Sequence, residues 1–319
     1  MADPRLLEIN RATLASLHKA WEEKTLSVVV GAGASAQAGL PVWSQLLEHL
    51  LVNYVQHRFS GSDDPRRFFA KSIVRGLSER LGSESALVFA QYLQSTTEKP
   101  EDFLKLIRDA LYGDLPGMPT PGPIHQAVAR LGANLRCVLT FNFDELAEQA
   151  LSAEGHENTS IWTADHWMES HGIPVYHPHG FIPYTLQPNQ PYWTVLAESD
   201  YHTQYNSPFH WSNVAISKTL LESTCLFVSL SMSDPNLRRL LDALHRVSPN
   251  RQHFVVWGRP LPERLNEQDA FIYDVYEQVF NEAYKKIGVT PLWYFVRQGD
   301  EQYSDIPTLL DAIRVRART

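Results

Sequence analysis

Four short polar segments carry the side chains that could do chemistry, and each directly follows an apolar run. The segments are Gly31-Ala32-Gly33, Asn142-Phe143-Asp144, His177-Pro178-His179-Gly180 and Ser229-Leu230-Ser231-Met232-Ser233-Asp234. Histidine and carboxylate side chains can move a proton, while asparagine and serine can position a polar group. In an open α/β sheet, ligands bind outside the carboxyl ends of the strands, near the reversal of strand order. The four segments therefore predict one site at that edge of a sheet.

The first segment begins a G-x-G-x-x-A turn between an apolar run and a helix. Glycines in such a turn let the backbone approach a pyrophosphate, whose charge is stabilised by backbone N–H groups and by the helix N-terminus. A dehydrogenase fingerprint would also need an acidic residue at the end of a second strand about 20 residues later. No such residue is evident in the sequence. The turn therefore indicates a nucleotide phosphate but argues against a plain dehydrogenase.

Each remaining candidate also has a purely structural interpretation. Asp144 and Asp234 lie where helices are predicted to begin, and a carboxylate there caps backbone N–H groups and complements the helix dipole. Asn142 suits a turn as well as it suits a ligand contact. Two His-Gly pairs occur, at His171 and His179, and only His179 directly follows a strand candidate. The residue types alone leave these alternatives open.

The composition excludes several classes of function. The chain has 319 residues with 28 Lys+Arg and 36 Asp+Glu, a formal net charge of −8, which argues against coating nucleic acid or an anionic membrane. Its two cysteines cannot form a disulfide framework or a four-cysteine zinc site. We find no signal-peptide pattern in Met1–Leu14 and no window apolar enough to span a bilayer. We therefore expect a cytoplasmic protein without membrane contact or sequence-specific nucleic-acid binding.

The elements that must position these residues alternate between strands and helices. Strand candidates include Leu26–Val30, Arg136–Phe141, Ile173–Tyr176 and Cys225–Leu230. This alternation predicts a doubly wound, mostly parallel, Rossmann-like α/β sheet. We expect one domain over residues 1–319, with a core at 25–59 and 133–300. The other predicted parts are a helical insertion at 60–132 (with helices near 68–81, 86–93 and 102–111), an N-terminal helix at 5–24 and a C-terminal helix at 306–317.

Taken in order, the motifs resemble the sirtuin family of NAD-consuming proteins. The matching segments are Gly31-Ala32-Gly33-Ala34-Ser35, Ala38-Gly39-Leu40-Pro41, Thr140-Phe141-Asn142-Phe143-Asp144, His179-Gly180 and Ser231-Met232-Ser233-Asp234-Pro235-Asn236-Leu237. Family deacylases carry a four-cysteine zinc module, and this sequence has no Cys-x-x-Cys. Ser229 also stands where the family has glycine. These departures, with Asp200-Tyr201, resemble the bacterial branch that destroys NAD in antiphage defence.

The resemblance implies a function and a role for each matching residue. The implied reaction is hydrolysis of the nicotinamide–ribose bond of NAD+, the substrate, to nicotinamide and ADP-ribose, with no zinc. His179 would act as the base, Asn142 would position the water or the ribose, and Asp144 would hold the carboxamide. The implied binding residues are Gly31, Ala32, Gly33 and Ser35 for the pyrophosphate and Ser231 for the adenosine half. Pro41 and Asp234 are implied as further NAD-binding residues.

Other functions remain open from the sequence. A non-catalytic module that senses NAD or ADP-ribose would keep the glycine turn without needing His179 or Asn142. A deacylase would need the missing zinc cysteines, and an ADP-ribosyltransferase would need an acceptor site that is not visible. Because a defence NADase must be controlled, the resemblance also implies a homo-oligomer or a partner such as a HerA-like ATPase.

Overall fold

The computed structural model describes residues 4–58, 72, 86–97, 99–187, 190–297 and 303–315. Within these residues, the strands all run parallel and form one sheet. The strands are β1 (Leu26–Val30), β2 (Leu135–Thr140), β3 (Asn158–Ile161), β4 (Ile173–Tyr176), β5 (Thr224–Val228), β6 (His253–Pro260) and β7 (Val289–Val296). Their order across the sheet is β3-β4-β2-β1-β5-β6-β7.

Helices cover both faces of this sheet. The α-helices of the described residues are α1 (Pro4–Ile9), α2 (Arg11–Glu22), α3 (Ala32–Ala36), α4 (Trp43–Arg58), α5 (Ala86–Ser95), α6 (Pro100–Tyr112), α7 (Pro123–Ala129), α8 (Leu146–Ala153), α9 (Ala164–Met168), α10 (Glu198–Asn206), α11 (Trp211–Glu222), α12 (Pro235–Val247), α13 (Glu267–Lys285) and α14 (Asp305–Ile313). None of them is long and apolar enough to cross a membrane.

The central strand β1 is buried over its whole length. All five of its residues are shielded from solvent, and it pairs with β2 on one side and with β5 on the other. Val28 lies opposite Val138 of β2 and Leu226 of β5, so the strand has apolar neighbours on both sides. A parallel strand that is covered on both faces needs a continuous apolar run rather than alternation. The sequence Leu-Ser-Val-Val-Val meets that need except at Ser27.

The order of strands reverses at β1. Strands β2, β4 and β3 lie on one side of it, and β5, β6 and β7 lie on the other. Such a reversal leaves a crevice at the carboxyl ends of the central strands, where ligands of doubly wound proteins bind. The doubly wound α/β sheet predicted from the sequence is confirmed.

Two elements differ from the sequence prediction. The predicted N-terminal helix at 5–24 is broken at Asn10, whose side-chain amide donates to the carbonyls of Leu6 and Trp293 and accepts from the Trp293 N–H. Strand β3 was not predicted, because its sequence Asn-Thr-Ser-Ile is mostly polar and lies half-exposed at the sheet edge.

The segment at 60–132 remains a predicted insertion. Helices α5 and α6 pack with α4 around a second apolar cluster that includes Leu50, Ala90 and Ile107. Helix α7 instead packs into the main core through Ile124 and Ala127. The helix expected near 68–81 lies outside the described residues except at residue 72.

Replacing Gly31 with alanine is expected to destabilise the fold. A Cβ atom at Gly31 would lie 2.5 Å from the Ser229 carbonyl oxygen and 2.7 Å from the Leu230 Cα, both backbone atoms of the opposing loop. Such overpacking costs about 1–3 kcal/mol, which urea denaturation would measure. Gly117→Ala is the matched control, because a Cβ there meets nothing within 4 Å. Equal stabilities of the two variants would contradict the close approach at Gly31.

Candidate active site

A chain of buried hydrogen bonds joins the carboxyl end of β2 to the turn after β1. The Asn142 side-chain amide donates to the Gly31 carbonyl at 3.1 Å and to the Ser35 hydroxyl oxygen at 2.8 Å. The Ser35 hydroxyl in turn donates to Asp144 Oδ2 at 2.7 Å. All three side chains are buried. The sequence-predicted residues Ser35, Asn142 and Asp144 therefore lie together and are joined by hydrogen bonds.

The Asp144 side chain also caps the start of the next helix. Its Oδ1 accepts the Leu146 N–H at 3.1 Å, at the first residue of α8. The carboxylate therefore caps a backbone N–H with one oxygen and holds Ser35 with the other. Helix α8 ends after Ala153, where Gly155 takes a φ of +79°, a conformation that favours glycine.

His179 lies after β4 in an aromatic setting. Its ring is 4.7 Å from the Phe141 ring and 5.6 Å from the Tyr201 ring, both edge to face. Its Nε2 lies 3.3 Å from Asp234 Oδ2, an ion-pair distance, but the direction does not make a hydrogen bond. The backbone of His179 is also held, because its carbonyl accepts the Val195 N–H at 2.7 Å. The ring is thus packed in place with one buried nitrogen lacking a directed partner.

Asp234 links this histidine to helix α12. Its Oδ1 accepts the Leu237 N–H at 2.7 Å, which makes it the N-cap that the sequence predicted, and its Oδ2 accepts the Tyr201 hydroxyl at 2.7 Å. Burial raises the pKa of the Asp234 carboxyl, but the neighbouring His179 and these hydrogen bonds together lower the pKa below its ordinary value. The same environment raises the pKa of Tyr201, first through burial and then through Asp234. Asp234 is therefore a buried carboxylate and Tyr201 a neutral donor.

A second buried pair, which the sequence patterns did not predict, lies behind the site. His177 Nε2 lies 2.7 Å from Glu148 Oε1, which also accepts the Ser160 hydroxyl, and His177 Nδ1 lies 3.2 Å from the Asn142 carbonyl. Burial raises the pKa of Glu148, but the charge and hydrogen bond of His177, with the Ser160 hydroxyl, lower it overall. One signal was present in the sequence, because Glu148 lies one helical turn after Asp144. This pair supports the backbone that presents Asn142.

The glycine turn packs against the loop after β5. Gly31 and Gly33 donate their N–H groups to the carbonyls of Val228 and Ser229, at 3.0 and 3.3 Å. Ser229 itself has a φ of +54°, in the left-handed region that glycine adopts most easily. Ser229, which stands where sirtuins have glycine, thus keeps a glycine-like backbone conformation with a serine side chain. Ala32, between the two glycines, is partly exposed at this edge.

The other predicted binding residues lie at the rim. Ser231 is exposed, and its hydroxyl oxygen lies 2.6 Å from the Ser233 hydroxyl oxygen. Pro41 is partly exposed in the connection between α3 and α4. Asp200, noted beside Tyr201 in the sequence, accepts the N–H groups of Leu196 and Ala197 at the start of α10. Its role in the described structure is therefore a helix cap.

The arrangement offers unpartnered polar atoms to a ligand. Asn142 Oδ1, His179 Nε2 and Ser229 Oγ are buried atoms without a hydrogen-bond partner. A buried polar atom of this kind costs about 1–3 kcal/mol unless it is satisfied. An acceptor on asparagine and a nitrogen on histidine suit a ligand with hydroxyl groups or a water molecule. In the parts of the chain that the structure describes, no cluster of three His, Cys, Asp or Glu residues could hold a metal ion.

Glu148→Gln is expected to destabilise the protein in a pH-dependent way. Losing the charge opposite His177 should cost about 1–3 kcal/mol at neutral pH. Because the pKa of Glu148 is lowered in the folded state, its contribution is present above the unfolded pKa of about 4.3 and is lost as the pH falls through the folded pKa. Urea denaturation of both proteins from pH 7 downward should show their stabilities converging below about pH 4. A constant difference in stability would contradict the ion pair.

Comparisons with known proteins give matches to sirtuin-like proteins. The chain is 24% identical over 270 residues to the NAD(+) hydrolase ThsA of Acinetobacter baumannii (strain 532279). The alignment covers 82% of this chain and 48% of that relative. The chain thus spans about half the length of the relative. Two solved structures align at low similarity. A complex of a Sir2 homologue with NAD has 14% identity and a TM-score of 0.45, covering 95% of this chain and 93% of that one. A mutant Sir2 homologue with ADP-ribose has 16% identity and a TM-score of 0.44, covering 94% and 95%.

The family comparison includes most of the site. Residues 136–274 match the model described as a SIR2-like domain, and this range includes Asn142, His179 and Asp234. The glycine turn at Gly31 precedes this range. The resemblance that the motifs predict is therefore confirmed, and residues 136–274 of this chain are SIR2-like.

Proposed function

We propose that this chain is an NAD+ hydrolase that breaks the nicotinamide–ribose bond and releases nicotinamide and ADP-ribose. The observation that carries the proposal is that Asn142 Oδ1 and His179 Nε2 are both buried without a hydrogen-bond partner and both follow strands on the same side of the reversal of strand order. The similarity to an NAD(+) hydrolase supports it. The carboxyl edge of the sheet, with these polar groups, suits a polar, charged nucleotide better than an apolar ligand.

The chemistry requires a base and a water molecule. The nicotinamide ring of NAD+ carries a positive charge, and the electron pair of the breaking C–N bond neutralises it as nicotinamide leaves. The ribose carbon then has oxocarbenium character, and a water oxygen bonds to it. In our proposal, His179 Nε2 accepts the water proton, and the nearby Asp234 carboxylate stabilises the resulting imidazolium at 3.3 Å. The Phe141 and Tyr201 rings hold the imidazole in its orientation.

Asn142 is proposed to position the water or the nicotinamide ribose. Its amide nitrogen is fixed by Gly31 and Ser35, so the free Oδ1 has a defined direction. Asp144 is proposed to hold the carboxamide of the substrate. Because Asp144 Oδ2 accepts the Ser35 hydroxyl, binding there exchanges one hydrogen bond for another.

The pyrophosphate is proposed to lie along the glycine turn. Gly31, Ala32, Gly33 and Ser35 are the residues we assign to this part of the substrate, and Ser231 is assigned to the adenosine half. Pro41 and Asp234 are proposed as further residues of the binding site. Since Gly31 and Gly33 use their N–H groups on the loop after β5 and their missing Cβ atoms make room for that loop, we propose that they shape the turn rather than donate to the pyrophosphate. The exposed Ser231 hydroxyl suits a ribose hydroxyl.

The biological setting is also a proposal. The motifs that depart from the deacylases support a bacterial antiphage effector that depletes NAD+ in the cytoplasm. Control by a homo-oligomer, or by a partner such as a HerA-like ATPase, suits an enzyme that would otherwise harm its own cell. A sensor that binds NAD without cleaving it is the second candidate, because the hydrogen bonds among Ser35, Asn142 and Asp144 would hold a binding site in place whether or not cleavage follows.

His179→Ala and Asn142→Ala are expected to abolish nicotinamide release from NAD+. Loss of a general base lowers the rate by about 10²–10⁴-fold, and the loss of a positioning amide should act on the same step. The measurement is nicotinamide release by the purified full chain, with and without co-purified partners. His171→Ala is the matched control, because this second His-Gly pair has an exposed side chain and only its backbone bonds to Thr159.

The outcomes separate the two candidate functions. Turnover in the wild type and in His171→Ala, but not in the two site variants, supports the hydrolase. Binding of NAD+ without turnover under every condition would instead establish the sensor. Activity retained in His179→Ala would remove that histidine from the mechanism.

Asp234→Asn is expected to lower the rate of nicotinamide release. The variant keeps an oxygen for the Leu237 N–H cap but loses the charge beside His179. Without that carboxylate the imidazolium formed during the reaction is less stabilised, so kcat should fall. Tyr201→Phe is the control, since it removes a hydrogen bond to Asp234 without removing the charge. Equal kcat values in Asp234→Asn and the wild type would contradict this role.

A further inference from the structure

Helix α13 is apolar on two opposite faces. Its inner face packs on β6 and β7 through Phe280 and Tyr284, and the Phe280 ring lies 4.3 Å from the Trp257 ring. A surface helix normally presents polar residues on the side away from the core. On α13 that outer side is apolar instead, which identifies it as unusual among the helices described above.

The outer face forms a continuous stripe. We define the α13 stripe as its exposed apolar side chains, which are Phe271, Ile272, Val275, Tyr276 and Val279. Phe271 is 70% exposed and Val279 is 64% exposed. Their spacing of three and four residues places them on one side of the helix. Contiguous exposed apolar surface of this kind marks an interaction site.

Charged residues of opposite sign lie at the two ends of the stripe. Glu267 begins α13 and Lys285 ends it, and both are exposed. They are separated by 18 positions, which is five turns at about 3.6 residues per turn, so they lie on the same flank of the helix. One end of this flank is therefore negative and the other positive.

We propose that the α13 stripe is the contact between two copies of this chain, related by a two-fold axis with their α13 helices antiparallel. In that arrangement Ile272 lies against Val279 of the second copy, and Val275 against Tyr276. Glu267 of each copy then meets Lys285 of the other, so the charge pairing occurs twice. A parallel arrangement would bring Glu267 against Glu267, which is repulsive.

The pattern fits a second copy better than other occupants. An isologous contact uses the same patch on both subunits, so it requires a stripe with complementary ends, as α13 has. An anionic membrane would be repelled by Glu267, Asp269 and Asp274, which border the stripe. A helix of 19 residues is about 28 Å long, which places the contact at the small end of stable interfaces. We therefore expect dissociation in the micromolar range rather than an obligate dimer.

The first test is sedimentation velocity of the full chain over a range of concentrations. The wild type should show a concentration-dependent dimer, and Val279→Asp should weaken it at least about 100-fold, because a charge would be buried without a partner. Phe209→Asp is the matched control, since Phe209 is 89% exposed on a loop outside α13. A wild type that stays monomeric at its highest soluble concentration would overturn the proposal, as would equal effects of the two substitutions.

The second test is a charge exchange. Glu267→Lys and Lys285→Glu should each weaken the dimer by about 3–10-fold, and the double variant should restore it. Both substitutions oppose the helix dipole, so the double variant is expected to have the less stable helix. Recovery of the dimer in that variant therefore reports pairing between the copies and not folding. Additive weakening would overturn the antiparallel register.

The third test fixes the direction by cross-linking. Tyr276→Cys places a thiol near the two-fold axis, so mild oxidation should give a disulfide-linked dimer. Glu267→Cys should not cross-link, because antiparallel packing separates these positions by about 27 Å, while a disulfide needs Cα atoms within about 7 Å. The native Cys137 and Cys225 are buried and should not interfere. Cross-linking at 267 but not at 276 would establish the parallel arrangement and overturn the proposal.

Discussion

The pairing of β1 with both β2 and β5 is the constraint on which the candidate site depends. Val30, at the end of β1, lies in register with Thr140 of β2 and with Val228 of β5. The residues that follow all three strands must therefore emerge at the same edge. That register brings Gly31, Asn142 and Ser229 together although they are far apart in sequence. A slip of one residue in either pairing would turn alternate side chains to the opposite face and dismantle the site.

Close packing at this edge of the sheet depends on small residues and on buried hydrogen bonds together. The absence of a Cβ at Gly31 lets the Ser229 loop approach, and the Gly31 carbonyl can then accept the Asn142 amide. Behind this layer, His177 and Glu148 support the Asn142 backbone. Buried polar groups of this kind cost folding free energy when they lack hydrogen-bond partners, and they make the structure rigid when they have them. These two layers explain how the Asn142 side-chain amide, which lies outside the helices and strands, can still have a fixed direction.

The sequence could predict the sheet because apolar runs and helix starts are local signals. The run at Leu26–Val30, the Asp234-Pro235 cap and the strand at Ile173–Tyr176 all depend on near neighbours in the chain. The break at Asn10 could not be predicted, because it results from a bond to Trp293 at the other end of the chain. The His177–Glu148 pair was missed for the same reason. Its partners are 29 residues apart and meet only when α8 packs on the sheet.

The geometry of the carboxylates makes the capping and the functional interpretations of Asp144 and Asp234 compatible. In both residues Oδ1 accepts a backbone N–H at the start of a helix, and Oδ2 faces the candidate site. The helix start fixes the plane of the group, so the second oxygen has a defined position toward Ser35 or toward Tyr201 and His179. The cap is therefore the means by which the second oxygen of each carboxylate is aimed. It follows that replacing either residue with alanine would change stability and the site together, whereas an isosteric amide separates the lost charge from the lost cap.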